Sequence, residues 1–213
     1  MEQSFHHADH KQSIGKQAVI FLSGANGVGK NTFFNNCLKP LGGSLVVRDL
    51  VGVPKKGEIA GVHYHFIYDR EFLRKLKNNE YLFAAKQVYS RGRGITFAAF
   101  NQTRISGKYP VIIGGPTTYH KIFAALKQHH PNFQLLNIYL LPPTFHIWLD
   151  RLTQRAKGDV IEAAKLVEKL ENSVNMLERI AQQEFIFDLV VVNDNLGNLK
   201  NYQKRLALSG LLL

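Results

Sequence analysis

Residues 18–32 read AVIFLSGANGVGKNT, and this stretch decides the fold class of the chain. The run 18–22 is short, apolar and followed by glycine, which is typical of a buried strand in a parallel sheet. A glycine-rich segment, 24–31, follows directly, and residues 31–38 then have helical spacing. A strand, a glycine-rich loop carrying a lysine and a helix, in this order, predict a phosphate-binding loop.

The residue types of this loop suit the binding of phosphate. Glycines allow the backbone to wrap closely around an anion, and the N–H groups and the helix dipole then face it. Lys30 supplies a positive charge for the outer phosphates of a nucleotide, although a purely structural glycine turn is the alternative interpretation. The predicted ATP-binding residues of the loop are Gly24, Asn26, Gly27, Val28, Gly29, Lys30, Asn31 and Thr32.

Metal binding at the loop is less certain from the sequence than phosphate binding. A Ser or Thr usually follows the lysine and binds Mg²⁺, but this chain has Asn31 there. Thr32 lies one place later and is the candidate Mg²⁺ ligand. Loss of efficient metal binding is the competing interpretation.

Apolar runs and segments of helical periodicity alternate along the rest of the chain. Further strands are predicted at 111–113, 135–141 and 189–192. Strands that alternate with helices predict an α/β fold. The predicted helices are 31–38, 70–78, 96–106, 117–129, 144–156, 161–184 and 196–208.

Two segments interrupt this alternation. Residues 53–93 contain PKKGE and the aromatic run VHYHFIY, which predict short antiparallel strands around a small helix. We interpret about 50–95 as an inserted subdomain. Lysine, glycine and aspartate at 157–159 separate two helical patterns and predict a lid at about 155–164. The domain is expected to cover 17–213, after a polar leader at 1–16.

Composition restricts the class of partner. The chain has 213 residues, 45% of them hydrophobic, which is enough for one core, and it has a formal net charge of +11. This charge favours anionic partners, either nucleic acid or small phosphorylated molecules. Nucleic acid is the weaker expectation, because the basic residues are scattered and no recognition motif accompanies them.

Several features predict a cytoplasmic protein that does not enter a membrane. No apolar run has the length of a membrane span, and the leader lacks the apolar stretch of a secretory signal. The single cysteine, Cys37, cannot form an internal disulfide and is expected in the core.

Motifs along nearly the whole chain after the leader resemble those of guanylate kinases. The segment GEIAGVHYHF at 57–66 resembles the family's Gly-Glu…Gly-x-x-Tyr-x-Phe motif, and DLVVVND at 188–194 resembles its closing strand. LPP at 141–143 resembles the turn before the lid, and Arg151 and Arg155 match the lid arginines. The resemblance implies a P-loop NTPase-type fold, in which helices flank a parallel five-stranded sheet that carries an acceptor-binding subdomain and a lid.

The resemblance also implies an activity. It implies an enzyme that moves the γ-phosphoryl group of ATP, with Mg²⁺, to a nucleoside monophosphate or another small phosphorylated acceptor, and GMP is the first acceptor to test. Positioned cations supply most of the catalysis in phosphoryl transfer. The implied residues are Lys30, Arg151, Arg155 and Lys169 as cations, Asn193 near the adenine, and Lys55, Glu58, Tyr64 and Arg93 at the acceptor.

The phosphate clamp of the acceptor departs from the family pattern. Residues 50–55 read LVGVPK where the family has Thr-Thr-Arg-x-Pro-Arg, so Gly52 stands in place of an arginine and Lys55 is the cation that remains. A bidentate clamp is lost at this point. The candidates for a substitute phosphate site, with a surface cluster as the equal alternative, are Arg48, Arg91 and Arg93.

The base-recognition and metal residues of the acceptor half also differ from the family. Phe83 falls on the glutamate that helps to read guanine, and Gly114 and Gly115 fall on the acidic pair that organises metal and acceptor. These changes predict that guanine loses its advantage as the acceptor base. They also leave open a catalytically degenerate binding module that recognises a protein or a nucleotide without turnover.

Overall fold

The computed structural model describes residues 18–54, 57–86, 91–105, 107–158, 160–194 and 201–202. The leader and Lys55 lie outside the described residues. In chain order the elements are β1 (Ala18–Gly24), α1 (Lys30–Phe33), a π-helical turn (Phe34–Leu38), β2 (Gly43–Leu45), β3 (Arg48–Val51), β4 (Tyr64–Ile67), α2 (Asp69–Lys77), β5 (Tyr81–Ala85), β6 (Arg93–Thr96), α3 (Phe97–Ile105), β7 (Tyr109–Ile113), α4 (Pro116–His129), β8 (Gln134–Leu141), α5 (Phe145–Ala156), α6 (Val160–Ala164), α7 (Leu166–Ala181) and β9 (Leu189–Val192).

Five parallel strands form the main sheet, in the order β2-β7-β1-β8-β9. The central strand β1 is apolar throughout its first five residues because both of its faces are covered. Ile20 and Leu22 pack with Phe33 and the π-helical turn, whereas Val19 and Phe21 pack with α3 and α4. The predicted α/β fold with a parallel five-stranded sheet is confirmed.

The second sheet has four strands, in the order β4-β3-β6-β5. The prediction of antiparallel strands is correct for β3 with β6 and for β5 with β6. It is wrong for β3 and β4, which are parallel, with Arg48 opposite Tyr64. The connection 52–63 is long enough to return the chain to the starting edge, as a parallel pair requires. Helix α2 covers one face of this sheet and buries Phe72.

The helix predictions hold for the four central helices. The predicted segments 70–78, 96–106, 117–129 and 144–156 correspond to α2, α3, α4 and α5 with ends shifted by one residue. The single helix predicted at 161–184 is wrong, since the chain turns at Lys165 and forms α6 and α7. The helix predicted at 196–208 lies outside the described residues, except for 201–202, which are helical.

Cys37 is buried in the core beside β1, as predicted, and burial raises the pKa of its thiol to about 11. Within the described part of the chain, no helix is both long and apolar enough to cross a membrane. The cytoplasmic location stays a prediction.

Candidate functional site

The loop between β1 and α1 requires glycine at two positions. Gly27 and Gly29 have φ of 77° and 94°, in the region that favours glycine. A Cβ atom at Gly27 would lie 2.7 Å from Cδ2 of the buried Leu152, and one at Gly29 would collide with the amide of Asn193. The surrounding elements therefore approach the loop so closely that side chains are excluded from these two positions.

Helix α5 and the end of β9 hold the loop in place. The indole Nε1 of Trp148 donates to the carbonyl of Asn26 at 2.6 Å. The Val28 carbonyl accepts from Nδ2 of Asn193 at 2.7 Å and, more weakly, from Nη1 of Arg151 at 3.4 Å. These contacts join segments far apart in the sequence, so the loop conformation depends on tertiary packing.

Lys30 is folded onto its own loop. Its Nζ donates to the carbonyls of Gly24 at 2.9 Å and Ala25 at 2.8 Å. Burial, followed by the positive charges of Arg155 and Arg48, lowers the pKa of Lys30 to about 8. An anion bound at the loop would raise the pKa of Lys30 again, because it places an opposite charge beside the ammonium group.

The loop and the second sheet form opposite walls of one cleft of about 1240 Å³. Helix α5, helix α7 and the turn after β7 complete its lining. Cations predominate in this lining, which suits a strongly anionic ligand. Among the described residues, the charged side chains that line the cleft are Lys30, Arg48, Arg91, Arg93, Arg151 and Arg155, against the two carboxylates Asp150 and Asp194.

The structure brings most of the predicted site residues together. Val28 is buried beneath the loop, and neither Glu58 nor Lys169 lines the cleft. Lys55 cannot be placed because it lies outside the described residues. The predicted residues that line the cleft are Gly24, Asn26, Gly27, Gly29, Lys30, Asn31, Thr32, Tyr64, Arg93, Arg151, Arg155 and Asn193.

Strand register explains why the acceptor wall is cationic. Arg48 pairs with Tyr64 in β4, and Leu50, two residues further along β3, pairs with Arg93 in β6. Residues opposite each other share a face of a sheet, as do residues two apart in one strand. Arg48, Tyr64 and Arg93 therefore point into the cleft, while Asp49 faces α2 and accepts hydrogen bonds from Lys75 of α2 and from Tyr81 of β5.

Gly114 and Gly115, which the resemblance places on the family's acidic pair, lie in the cleft but differ in their surroundings. A Cβ atom at Gly114 would lie 2.7 Å from the ring of Phe21 and 2.9 Å from Oγ1 of Thr118. At Gly115, the N-cap of α4, the nearest atom would be 4.0 Å away. Phe83 packs on the core and also lines the cleft.

Sequence reasoning missed several residues of the site. Trp148 and Leu152 do not line the cleft but pack beneath the loop, on the same face of α5 as Arg151, and this three- and four-residue spacing was the available signal. The missed cleft residues carried no distinctive motif. Those with polar or sulfur-containing side chains are Thr118, Asp150, Gln154, Asn172, Ser173, Met176 and Asp194.

The loop suits the phosphates of ATP better than the cleft suits a preformed metal site. Gly27 and Gly29 keep side chains away from the loop backbone, and Lys30 faces the cleft. Among the described residues, no cluster of three or more His, Cys, Asp or Glu side chains could hold a metal. Mg²⁺ in kinases binds mainly substrate phosphates and water with one or two protein ligands. Thr32, the ligand predicted from the sequence, lines the cleft together with Lys30.

A glycine loop with a lysine, at the carboxyl end of a strand in a five-stranded parallel sheet and facing a cationic wall, defines a P-loop phosphotransferase. The family model for guanylate kinase matches residues 16–206, so the chain belongs to the guanylate kinase family. It is an enzyme of the nucleoside monophosphate kinase type.

Individual relatives agree with this assignment. The chain is 28% identical over 182 residues to guanylate kinase of Neisseria gonorrhoeae (strain ATCC 700825 / FA 1090), which covers 85% of this chain and 82% of that protein. It is 24% identical over 183 residues to guanylate kinase of Sulfurimonas denitrificans (strain ATCC 33889 / DSM 1251), covering 84% and 81%.

The crystal structure of guanylate kinase from Anaplasma phagocytophilum shares the fold, with a TM-score of 0.60 and 17% identity over 94% of this chain and 90% of that one. Nothing in these comparisons supports the alternative of a catalytically degenerate binding module.

Proposed function

We propose that this chain transfers the γ-phosphoryl group of ATP to the phosphate of a nucleoside monophosphate. The observation that carries the proposal is the shared cleft, with Lys30 on the loop wall and Arg48, Tyr64 and Arg93 on the wall opposite. Two anions held in one cleft have the proximity that phosphoryl transfer requires. The relatives are guanylate kinases, so GMP is the first acceptor to test.

In the proposed reaction, an oxygen of the acceptor phosphate attacks the γ-phosphorus, and the bond from that phosphorus to the ADP oxygen breaks. Lys30 exchanges its two carbonyl partners for phosphate oxygens. Arg151 and Arg155, which line the cleft from α5, neutralise charge on the group in transfer. Mg²⁺ that binds with ATP supplies further neutralisation, with the Thr32 hydroxyl as its proposed protein ligand.

We further propose that guanine has no advantage over other bases. A carboxylate that accepts hydrogen bonds from the base gives strong discrimination, because the wrong base leaves buried polar groups unpaired. Phe83 in the cleft has no acceptor atoms and can offer only apolar and ring contacts. Such contacts tolerate several bases.

A coupled assay of ADP release tests the proposal. GMP, AMP, CMP, UMP and phosphorylated sugars are compared as acceptors at fixed Mg·ATP, with Lys30→Ala as the inactive control. We expect turnover with at least one nucleoside monophosphate, and kcat/KM for GMP within about tenfold of the best other acceptor.

Two results would contradict the proposal. Absence of ADP release with every acceptor argues against transfer. A kcat/KM for GMP within the ordinary range of roughly 10⁴ to 10⁸ M⁻¹s⁻¹, and well above every other acceptor, shows that guanine selectivity persists without the carboxylate.

A further inference from the structure

Arg91 occupies the space beside Gly52. A Cβ atom at Gly52 would lie 3.1 Å from both Cζ and Nε of Arg91. Nη1 of the same guanidinium donates to the carbonyl of Val53 at 3.0 Å. Gly52 has φ of 123°, a conformation that favours glycine. The absence of a side chain at Gly52 therefore leaves room beside the backbone, and the guanidinium of Arg91 fills it.

The guanidinium of Arg91 faces the same cleft as those of Arg48 and Arg93. Arg91 lies just before β6, and Arg93 is the first residue of β6. Arg48 is the first residue of the neighbouring strand β3. Cζ of Arg48 lies 5.6 Å from the centre of the Tyr64 ring. The three arginines thus reach one wall of the cleft from two segments of the second sheet.

These arginines have no acidic partner in the described part of the chain. Among the described residues, no carboxylate forms an ion pair with Arg48, Arg91 or Arg93. Burial lowers the pKa of Arg48, and the charge of Arg93 lowers it further, while the Tyr64 side chain acts in the opposite direction. Arg48 is partly buried, whereas Arg91 and Arg93 are exposed, so desolvation bears mainly on Arg48. An anion bound at this wall would supply the opposite charge that all three guanidinium groups lack.

We propose that Arg91, placed over Gly52, replaces the arginine that the clamp lacks at position 52 and binds the acceptor phosphate together with Arg48 and Arg93. A guanidinium presents two parallel N–H donors to a phosphate, which a lysine cannot do. Glycine at 52 and arginine at 91 form a linked pair, since a Cβ atom at 52 would press on the guanidinium of residue 91 and shift it by a few tenths of an ångström.

The assignment of the phosphate to an acceptor rests on the proposed function, but phosphate binding itself does not. The test therefore measures binding without turnover. GMP and guanosine, and likewise AMP and adenosine, are titrated calorimetrically into protein saturated with Mg·ADP, which keeps the nucleotide loop occupied. The ratio of the two dissociation constants reports the contribution of the acceptor phosphate.

We expect GMP and AMP to bind at least about tenfold more tightly than guanosine and adenosine. Arg91→Ala reduces this ratio about tenfold or more, and Arg91→Lys reduces it less because a point charge remains. Arg70→Ala, at an exposed position of α2 outside the cleft, leaves the ratio unchanged. ADP binding is unchanged in all three variants.

A glycine variant gives a second measure. Gly52→Ala is expected to reduce the ratio, but less than Arg91→Ala does, because its methyl group shifts the Arg91 guanidinium without removing it. Gly61→Ala is the control, since Gly61 also has positive φ, 76°, but open space around its Cβ position. It introduces backbone strain without touching an arginine.

An unchanged ratio in Arg91→Ala overturns the proposal and leaves Arg91 with only its structural bond to Val53. Equal binding of GMP and guanosine by the unaltered protein overturns it as well. If the ratio responds as expected but ADP release is absent with all acceptors, the proposed function fails while the phosphate site stands.

Discussion

Lys30 links the geometry of the loop to the pH at which it holds charge. Its ammonium group is buried against two carbonyls, with Arg155 and Arg48 nearby, and burial is the main reason that its pKa falls from 10.5 to about 8. Because the folded pKa is the lower one, the unfolded chain binds more protons between these two values. Stability attributable to Lys30 therefore increases as pH rises through this window.

Binding of ATP should show the opposite dependence on pH. Phosphate charges raise the pKa of Lys30, so the complex binds a proton that the free protein has lost. We expect the association constant for ATP, measured in EDTA, to fall as pH rises above about 8, by up to tenfold per pH unit. Calorimetry in buffers of different ionisation enthalpy should show proton uptake of up to about one proton.

The control for this measurement is Lys30→Met, in which both the pH dependence and the proton uptake disappear. Equal affinity of the unaltered protein at about pH 7.5 and 9.5 would mean that Lys30 does not lose its proton near pH 8.

At the scale of elements, the start of α4 shows how packing decides which replacements are possible. Gly114 is enclosed by Phe21 of β1 and Thr118 of α4, whereas Gly115 is an extended N-cap with φ of −92° and open space. Asp is favoured at an N-cap because its carboxylate accepts from N–H groups of the first turn. The two adjacent glycines should therefore differ sharply in how well they tolerate substitution by aspartate.

We expect Gly115→Asp to leave stability unchanged or raise it by up to about 1 kcal/mol, and Gly114→Asp to lower it by about 1–3 kcal/mol through overpacking. Urea denaturation of the two variants beside the unaltered protein measures the difference. Equal destabilisation by both substitutions would show that the turn after β7 does not have the described surroundings.

For the whole molecule, the affinity for anionic ligands depends more on where the positive charges lie than on the total net charge. The chain has a formal net charge of +11, and the described part of the cleft lining collects six cations against two carboxylates. Neighbouring cations repel one another when the cleft is empty and attract phosphates when it is filled. Affinity for anionic ligands should therefore be sensitive to ionic strength.

Raising NaCl from about 0.05 to 0.3 M should weaken ATP binding several-fold, because screening shortens the range of these interactions. Adenosine, which lacks the phosphates, serves as the matched control and should bind independently of salt. Fluorescence or calorimetric titration measures both ligands. Parallel salt dependence for ATP and adenosine would argue against a role for the collected charge.

Features encoded within short segments were predictable from the sequence. The loop at 24–31 follows from a local order of strand, glycines, lysine and helix, and the start of α5 follows from Thr144, whose hydroxyl accepts from the N–H of Ile147 at 3.2 Å. Strand β2 has three residues and no apolar run, so its sequence carried too little periodicity to be found.

The sequence by itself determined the α/β class and predicted the phosphate loop, because both depend on residues that are neighbours in the chain. The departures at Gly52, Phe83, Gly114 and Gly115 were inferred from the resemblance to guanylate kinases. Only the tertiary structure decided that β3 and β4 run parallel, that Trp148 of α5 holds the loop, and that Arg91 lies over Gly52. Those arrangements join residues far apart in sequence. They depend on strand register and on the close approach of packed elements, which no local pattern of residue types specifies.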